Sequence, residues 1–186
     1  MRTRLRVLDS VRAAAQIPGL HLSRNIVIVG HSQGGQVALF AGQLAPSYAP
    51  DLHIDGVVAM APATNLSLAI AAMRDLSDQG GITSGKSDLV YIVMTLWAWA
   101  HTYRHLPVTS IFTPFGAEKA SIVNQGCLSQ IAQALAGINP ASILRPNPTS
   151  MLGLLHDAAK NNPGLVHTIT PILVVQGNRT RQFLLS

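Results

Sequence analysis

The stretch Ile26-Val27-Ile28-Val29-Gly30-His31-Ser32-Gln33-Gly34-Gly35 limits what this chain can fold into more than any other part of it. Four β-branched residues in a row read as a strand buried on both faces, as in a parallel sheet. Gly30 closes that run, and from Gly35 to Ala45 apolar residues return at helical spacing, with Pro46 as the stop. His53 to Met60 (H-I-D-G-V-V-A-M) reads as a second buried strand ending at Ala61-Pro62. Strand, sharp turn, helix and strand make a βαβ unit, which requires a parallel sheet and an α/β fold. Ahead of it, Leu5, Leu8, Val11, Ala14 and Ala15 recur at three and four, a helix ended by Pro18 and Gly19.

The next hundred or so residues hold no convincing strand. Leu66–Leu76 reads as helix, and Ser87–His105 as a stronger one with Ser87 as N-cap and Pro107 beyond its end. Ala117–Ala136 offers one or two more helices, Asn139–Asn147 reads as loop, and Ser150–Lys160 as a short helix. Pro171–Gly177 (P-I-L-V-V-Q-G) restores the buried-strand pattern. Three segments follow: a core over 1–65, an inserted helical cap over 66–168, and a returning core strand with its tail over 169–186. About three strands are recognisable, so the sheet is partial.

Gly30-His31-Ser32-Gln33-Gly34 fits the G-x-S-x-G turn in which a serine stands on a strained bend between strand and helix. Glycines two residues to either side remove Cβ atoms that would collide there, and Gly35 lets the helix lie close on the sheet. The hydroxyl then projects at the strand's C-terminal end, beside a helix N-terminus that favours developing negative charge. Ser32 is the candidate nucleophile, and the Gln33 backbone N–H a candidate oxyanion donor. His31 reads as an elbow residue packing beside the site.

In these segments the sequence resembles the α/β-hydrolase superfamily, and within it the secreted bacterial and fungal triacylglycerol lipases with a large helical cap. The matching pieces are I-V-I-V-G-H-S-Q-G-G-Q-V-A-L, G-V-V-A-M-A-P-A-T and P-I-L-V-V-Q-G. The resemblance implies hydrolysis of acylglycerols or similar esters through an acyl-enzyme at Ser32, without metal or cofactor, and a secreted or cell-envelope location. It also implies an acid after the strand at Pro171–Gly177 and a histidine one strand later. Here Asn178-Arg179-Thr180-Arg181 stands instead, no Asp or Glu follows Asp157, and no His follows His167. No triad acid or base is found. The expectation is an internal stretch of a longer hydrolase, nearly inert toward esters alone, since losing the base costs about 10⁶ in turnover. The rival expectation is a catalytically silent fragment whose apolar cap binds lipid.

The remaining features read structurally. His156 and Asp157 are neighbours on a helix and point apart, and His167 precedes the last strand, at the end away from the serine. Trp97, Trp99 and Met94 lie on a helix apolar on nearly every side, which suits core packing first and an acyl-site lining second. His101 and His105 have the i, i+4 spacing of metal ligands but lack the glutamate of H-E-x-x-H, so no metal is expected. Gly80–Ser87 spells a P-loop string, yet no buried strand leads into it, so a nucleotide is the least favoured ligand. Cys127 reads as a small buried apolar residue.

The net charge of +5 lies mainly at the two ends, in Arg2, Arg4, Arg6 and Arg12 and in Arg179 and Arg181. With no basic stripe between them, nucleic-acid binding is not expected. The longest apolar run, Leu89–Ala100, is too short to span a bilayer, and no signal peptide opens the sequence. A three-stranded sheet would leave unpaired edges through which copies could associate.

Overall fold

A computed structural model describes residues 2–66, 86–145 and 151–177. The chain divides into two compact units, Met1–Asn65 with the stretch that begins at Lys160, and Leu66–Ala159.

The first unit runs α1 (Arg2–Ala14), β1 (Ile26–His31), α2 (Gln33–Tyr48), β2 (Ile54–Met60) and, after the return, β3 (Ile172–Val175). The three strands form one parallel sheet in the order β1-β2-β3, with Val29 opposite Val58 and Val58 opposite Leu173. The βαβ reading of the sequence is therefore the observed α/β topology. Helix α2 packs on β1 and β2, and α1 packs on α2. Leu8, Ile28, Leu39, Val57 and Ala59 are buried in the resulting core. Helix and sheet come close because Gly42 has no Cβ: one placed there would lie 2.6 Å from Val57 Cγ2.

Two expectations about this unit are corrected. The strands are not buried on both faces, because among the described residues α2 covers one face of β1 and β2 only. Ile28 is buried, but Val27 and Val29 on the other face of β1 are 56% and 59% exposed, and β3 is exposed along its length. The second correction is that Pro46 does not stop α2, which continues to Tyr48. So near the end of a helix a proline interrupts little of the remaining ladder.

The second unit holds α3 (Lys86–Thr102), α4 (Val108–Ile111), α5 (Pro114–Ala120), a 3₁₀ turn (Ser121–Asn124), α6 (Leu128–Ala134), α7 (Pro140–Ile143) and most of α8 (Met151–Lys160). Val93, Leu106, Phe112, Ile131, Ile143 and Leu154 form its core. Gly116 on α5 lies against α7 so closely that a Cβ would fall 2.0 Å from the Ile143 carbonyl oxygen. Ser87 lies inside α3 rather than capping it. The expected loop at Asn139–Asn147 contains α7, because Asn139 accepts the Ala141 N–H at 3.0 Å and Pro140 is preset for a first helical position. Cys127 is exposed, not buried, since it precedes α6 as its cap, where its N–H donates to Gln130 Oε1 at 2.7 Å. The expected helix Leu66–Leu76 (beyond Leu66 itself), most of the P-loop string and the tail at 178–186 lie outside the described residues. Among the described residues no helix is long and apolar enough to cross a membrane.

Candidate active site

Strand β1 delivers the G-x-S-x-G segment to the C-terminal edge of the sheet, and the chain reverses within one residue. His31 still pairs with Met60, and the Ser32 N–H donates to the Met60 carbonyl at 2.9 Å. Ser32 then takes φ 54° and ψ −120°, and α2 begins at the next residue. A serine in that region stores about 1–3 kcal/mol of backbone strain, which the surroundings must hold in place. They do so through the Ser32 carbonyl, which accepts from Gln36 N at 3.1 Å and from Ala63 N at 3.2 Å. One bond starts α2 and the other ties the serine to the segment after β2.

The glycines flanking the serine do unequal work. A Cβ on Gly30 would lie 2.0 Å from the Gly34 carbonyl oxygen, a clash with backbone. A Cβ on Gly35 would lie 3.1 Å from the Met60 carbonyl oxygen and 3.2 Å from that of Gly30, the close helix–sheet approach expected of it. At Gly34 a Cβ would meet nothing within 4 Å, so the anticipated collision occurs on one side of the serine only.

Ser32 is exposed and makes no capping hydrogen bond with its side chain. Gln33 occupies the first turn of α2, where helix geometry gives its N–H no acceptor, so a negative charge beside Ser32 would meet a free donor and the positive helix end. His31 is exposed next to it. Gln36, one turn into α2, donates from Nε2 to the Asn161 carbonyl at 2.7 Å and so ties the elbow helix to the return segment. These groups can support attack by a hydroxyl and stabilisation of an oxyanion.

The other sequence candidates lie elsewhere. Trp97 is inside the helical core, donating from Nε1 to Asn124 Oδ1 at 2.9 Å with Phe112 edge-on at 5.8 Å. Met94 and Trp99 pack at the margin of the same core. His101 Nδ1 lies 2.8 Å from the Trp97 carbonyl, while His105 Nε2 lies 2.9 Å from Asp157 Oδ2. The i, i+4 histidines are therefore engaged in different directions, and no group of three metal-ligating side chains occurs among the described residues. His167 lies before β3, and parallel pairing puts that end of the strand opposite the serine's.

Two features escaped the sequence reading. One is the pairing of His105 with the almost fully buried Asp157, residues far apart along the chain. The other is a second strained position after β2, Ala61 at φ 42°, whose N–H donates to the Val175 carbonyl at 2.7 Å. The abrupt A-P after an apolar run was its only signal.

Comparison with known proteins bears on the family and the fold. The secretory lipase family model matches residues 2–144. A 51-residue stretch is 41% identical to the secreted triacylglycerol lipase LIP4 of Malassezia furfur, covering 26% of this chain and 10% of that protein. Among solved structures, a protein from Legionella pneumophila matches with a TM-score of 0.70 at 16% identity, over 91% of this chain and 46% of its own. The rice cell wall degrading esterase LipA of Xanthomonas oryzae matches with a TM-score of 0.68 at 18% identity, over 92% of this chain and 47% of its own. The chain thus spans less than half the length of these structures, which share its fold. With most of its length matched by one family, the chain belongs to the secretory lipases.

Proposed function

We propose that this chain carries the nucleophile of a secreted serine ester hydrolase acting on acylglycerols or similar carboxylic esters. Ser32 Oγ attacks the ester carbonyl to give a tetrahedral oxyanion held by the Gln33 N–H. Its collapse breaks the ester C–O bond, the alcohol leaves with the proton the serine hydroxyl gave up, and water then releases the acid from the acyl-enzyme. The observation that carries this reading is the positive φ of an exposed serine between a parallel strand and a helix N-terminus. Structural turns rarely place a non-glycine residue there, and strain of this kind gathers at reactive sites.

The helical unit is the cap in this reading. Trp97, within its core, and Met94 and Trp99, at the edge of it, are the residues of this unit proposed to line an acyl site. No triad acid or base is assigned among the described residues, and an elbow without its base retains little turnover. Covalent labelling is therefore the sharper assay. Long incubation with a fluorophosphonate, then peptide mass spectrometry, is expected to place the adduct on Ser32, and Ser32→Ala to abolish it. An adduct on another serine, or none after incubation long enough to offset the missing base, overturns the assignment.

The open strands also belong to this proposal. Copies of the chain associate through the bare sheet face and the outer edges of β1 and β3, which pair with no further strand among the described residues.

A further inference from the structure

We propose that His105 and Asp157 form a latch that seats α8 in the helical unit, and that it acts through charge rather than packing alone. The Asp157 side chain is 1% exposed, whereas His105, in the loop after α3, is 56% exposed. His105 Nε2 lies 2.9 Å from Asp157 Oδ2, while the neighbouring His156 reaches Oδ1 only at 3.7 Å. Gly153, one turn before Asp157, makes the seat. A Cβ there would lie 3.1 Å from both His105 Cδ2 and Leu106 Cδ2, so the imidazole lies directly over the glycine. Tyr103 flanks the ring, with centroids 6.0 Å apart.

A carboxylate withdrawn from water is destabilising unless donors or cations meet it. Asp157 shares its side of α8 with buried Leu154 and Ala158. Seating the apolar residues therefore drags the carboxylate out of water, and His105 is one of the groups that offset this. The helix has two satisfied arrangements: seated with the imidazole in contact, or lifted with the carboxylate hydrated. Because the imidazole is open to solvent, the contact can break without first unpacking the core. Helix α8 is also where the chain leaves this unit, at Ala159. On the reading that the unit is a cap, which this step borrows from the proposed function, the latch sets how readily the cap's last helix moves.

Native-state hydrogen exchange of α8 amides tests the latch in the wild type, H105A, D157N and the double variant. H105A is expected to speed α8 exchange roughly 10- to 100-fold while amides around Val93 keep their protection. Adding D157N to H105A should restore most of the lost protection, since the buried charge that His105 met is then gone. Wild-type rates in H105A, or a double variant exchanging as fast as H105A, would overturn the proposal, the second outcome marking His105 as packing only. Should H105A not fold, H105Q keeps a donor and is expected to give intermediate rates, with wild-type rates counting against the latch. None of these readouts depends on Ser32, so the latch and the hydrolase assignment can fail separately.

Discussion

At Ser32 a single backbone angle separates an ordinary turn from a poised hydroxyl, and the adjacent glycines show what maintains it. Gly30→Ala would drive a methyl into the Gly34 carbonyl, and backbone cannot swing aside as a side chain can. We expect Gly30→Ala to lower Tm and abolish fluorophosphonate labelling of Ser32. Gly34→Ala meets open space inside a helix, where alanine is favoured over glycine by about 1 kcal/mol. It should leave Tm unchanged or raised and labelling intact, and equal damage by both substitutions would show the elbow geometry to be wrong. The bend was legible in the sequence because everything that makes it is local: a β-branched run, a glycine, a serine and a helix start within ten residues. The pairing of His105 with Asp157 was not legible, since nothing in either local pattern names a partner so far along the chain. Cys127 misled for a related reason: composition speaks for burial, but a cap position decides exposure.

Between elements, the join of α1 to α2 shows which force dominates. Leu8 is fully buried there, while the polar contacts lie in the open. Arg12 donates to the Asp51 carboxylate and lies 3.4 Å from Asp9, and the Tyr48 hydroxyl donates to both Asp9 oxygens at 3.0 Å. Leu8→Ala should cost about 2–5 kcal/mol, a Tm fall of roughly 5 °C or more at this chain length. Arg12→Gln should cost far less, because exposed pairs gain little over hydrated ions. Its pH dependence is nonetheless specific. The Arg12 hydrogen bond holds the Asp51 carboxyl below the usual carboxylate range. A depressed folded value gives stability that is present above the unfolded carboxylate range and lost as pH falls through the folded value. The Tm difference between wild type and Arg12→Gln should therefore appear near neutral pH and vanish in strong acid. The Tyr48 hydroxyl is held above its ordinary range by the bond to Asp9, so its contribution has the opposite sense. Tyr48→Phe should lose its cost only as pH rises past the tyrosine range. A thermal-melt series across pH on the two variants checks both slopes.

At the scale of the whole chain, strand pattern and strand burial part company. The apolar runs of β1 and β3 carry residues fit for cover on both sides, as parallel strands do. Among the described residues the helices meet one side only, and a sequence records what a face is suited to, not whether anything lies on it. The consequence is a bare surface of Val27, Val29, Leu173 and Val175, each at least half exposed and on one face by the observed register. Contiguous apolar patches of this kind bind partners or drive association. If copies of the chain meet through that face, size-exclusion chromatography should show an apparent mass rising with concentration, together with strong binding of a hydrophobic dye. Val29→Lys with Leu173→Lys should lower both, because these two residues flank Val58 at the centre of the face and a buried ammonium opposes contact. The same lysines do not touch the covered side, where Ile28 and Val57 meet α2, so Tm should change little. Association that persists unchanged in the double variant would move the contact away from this face, to the strand edges or to the helical unit.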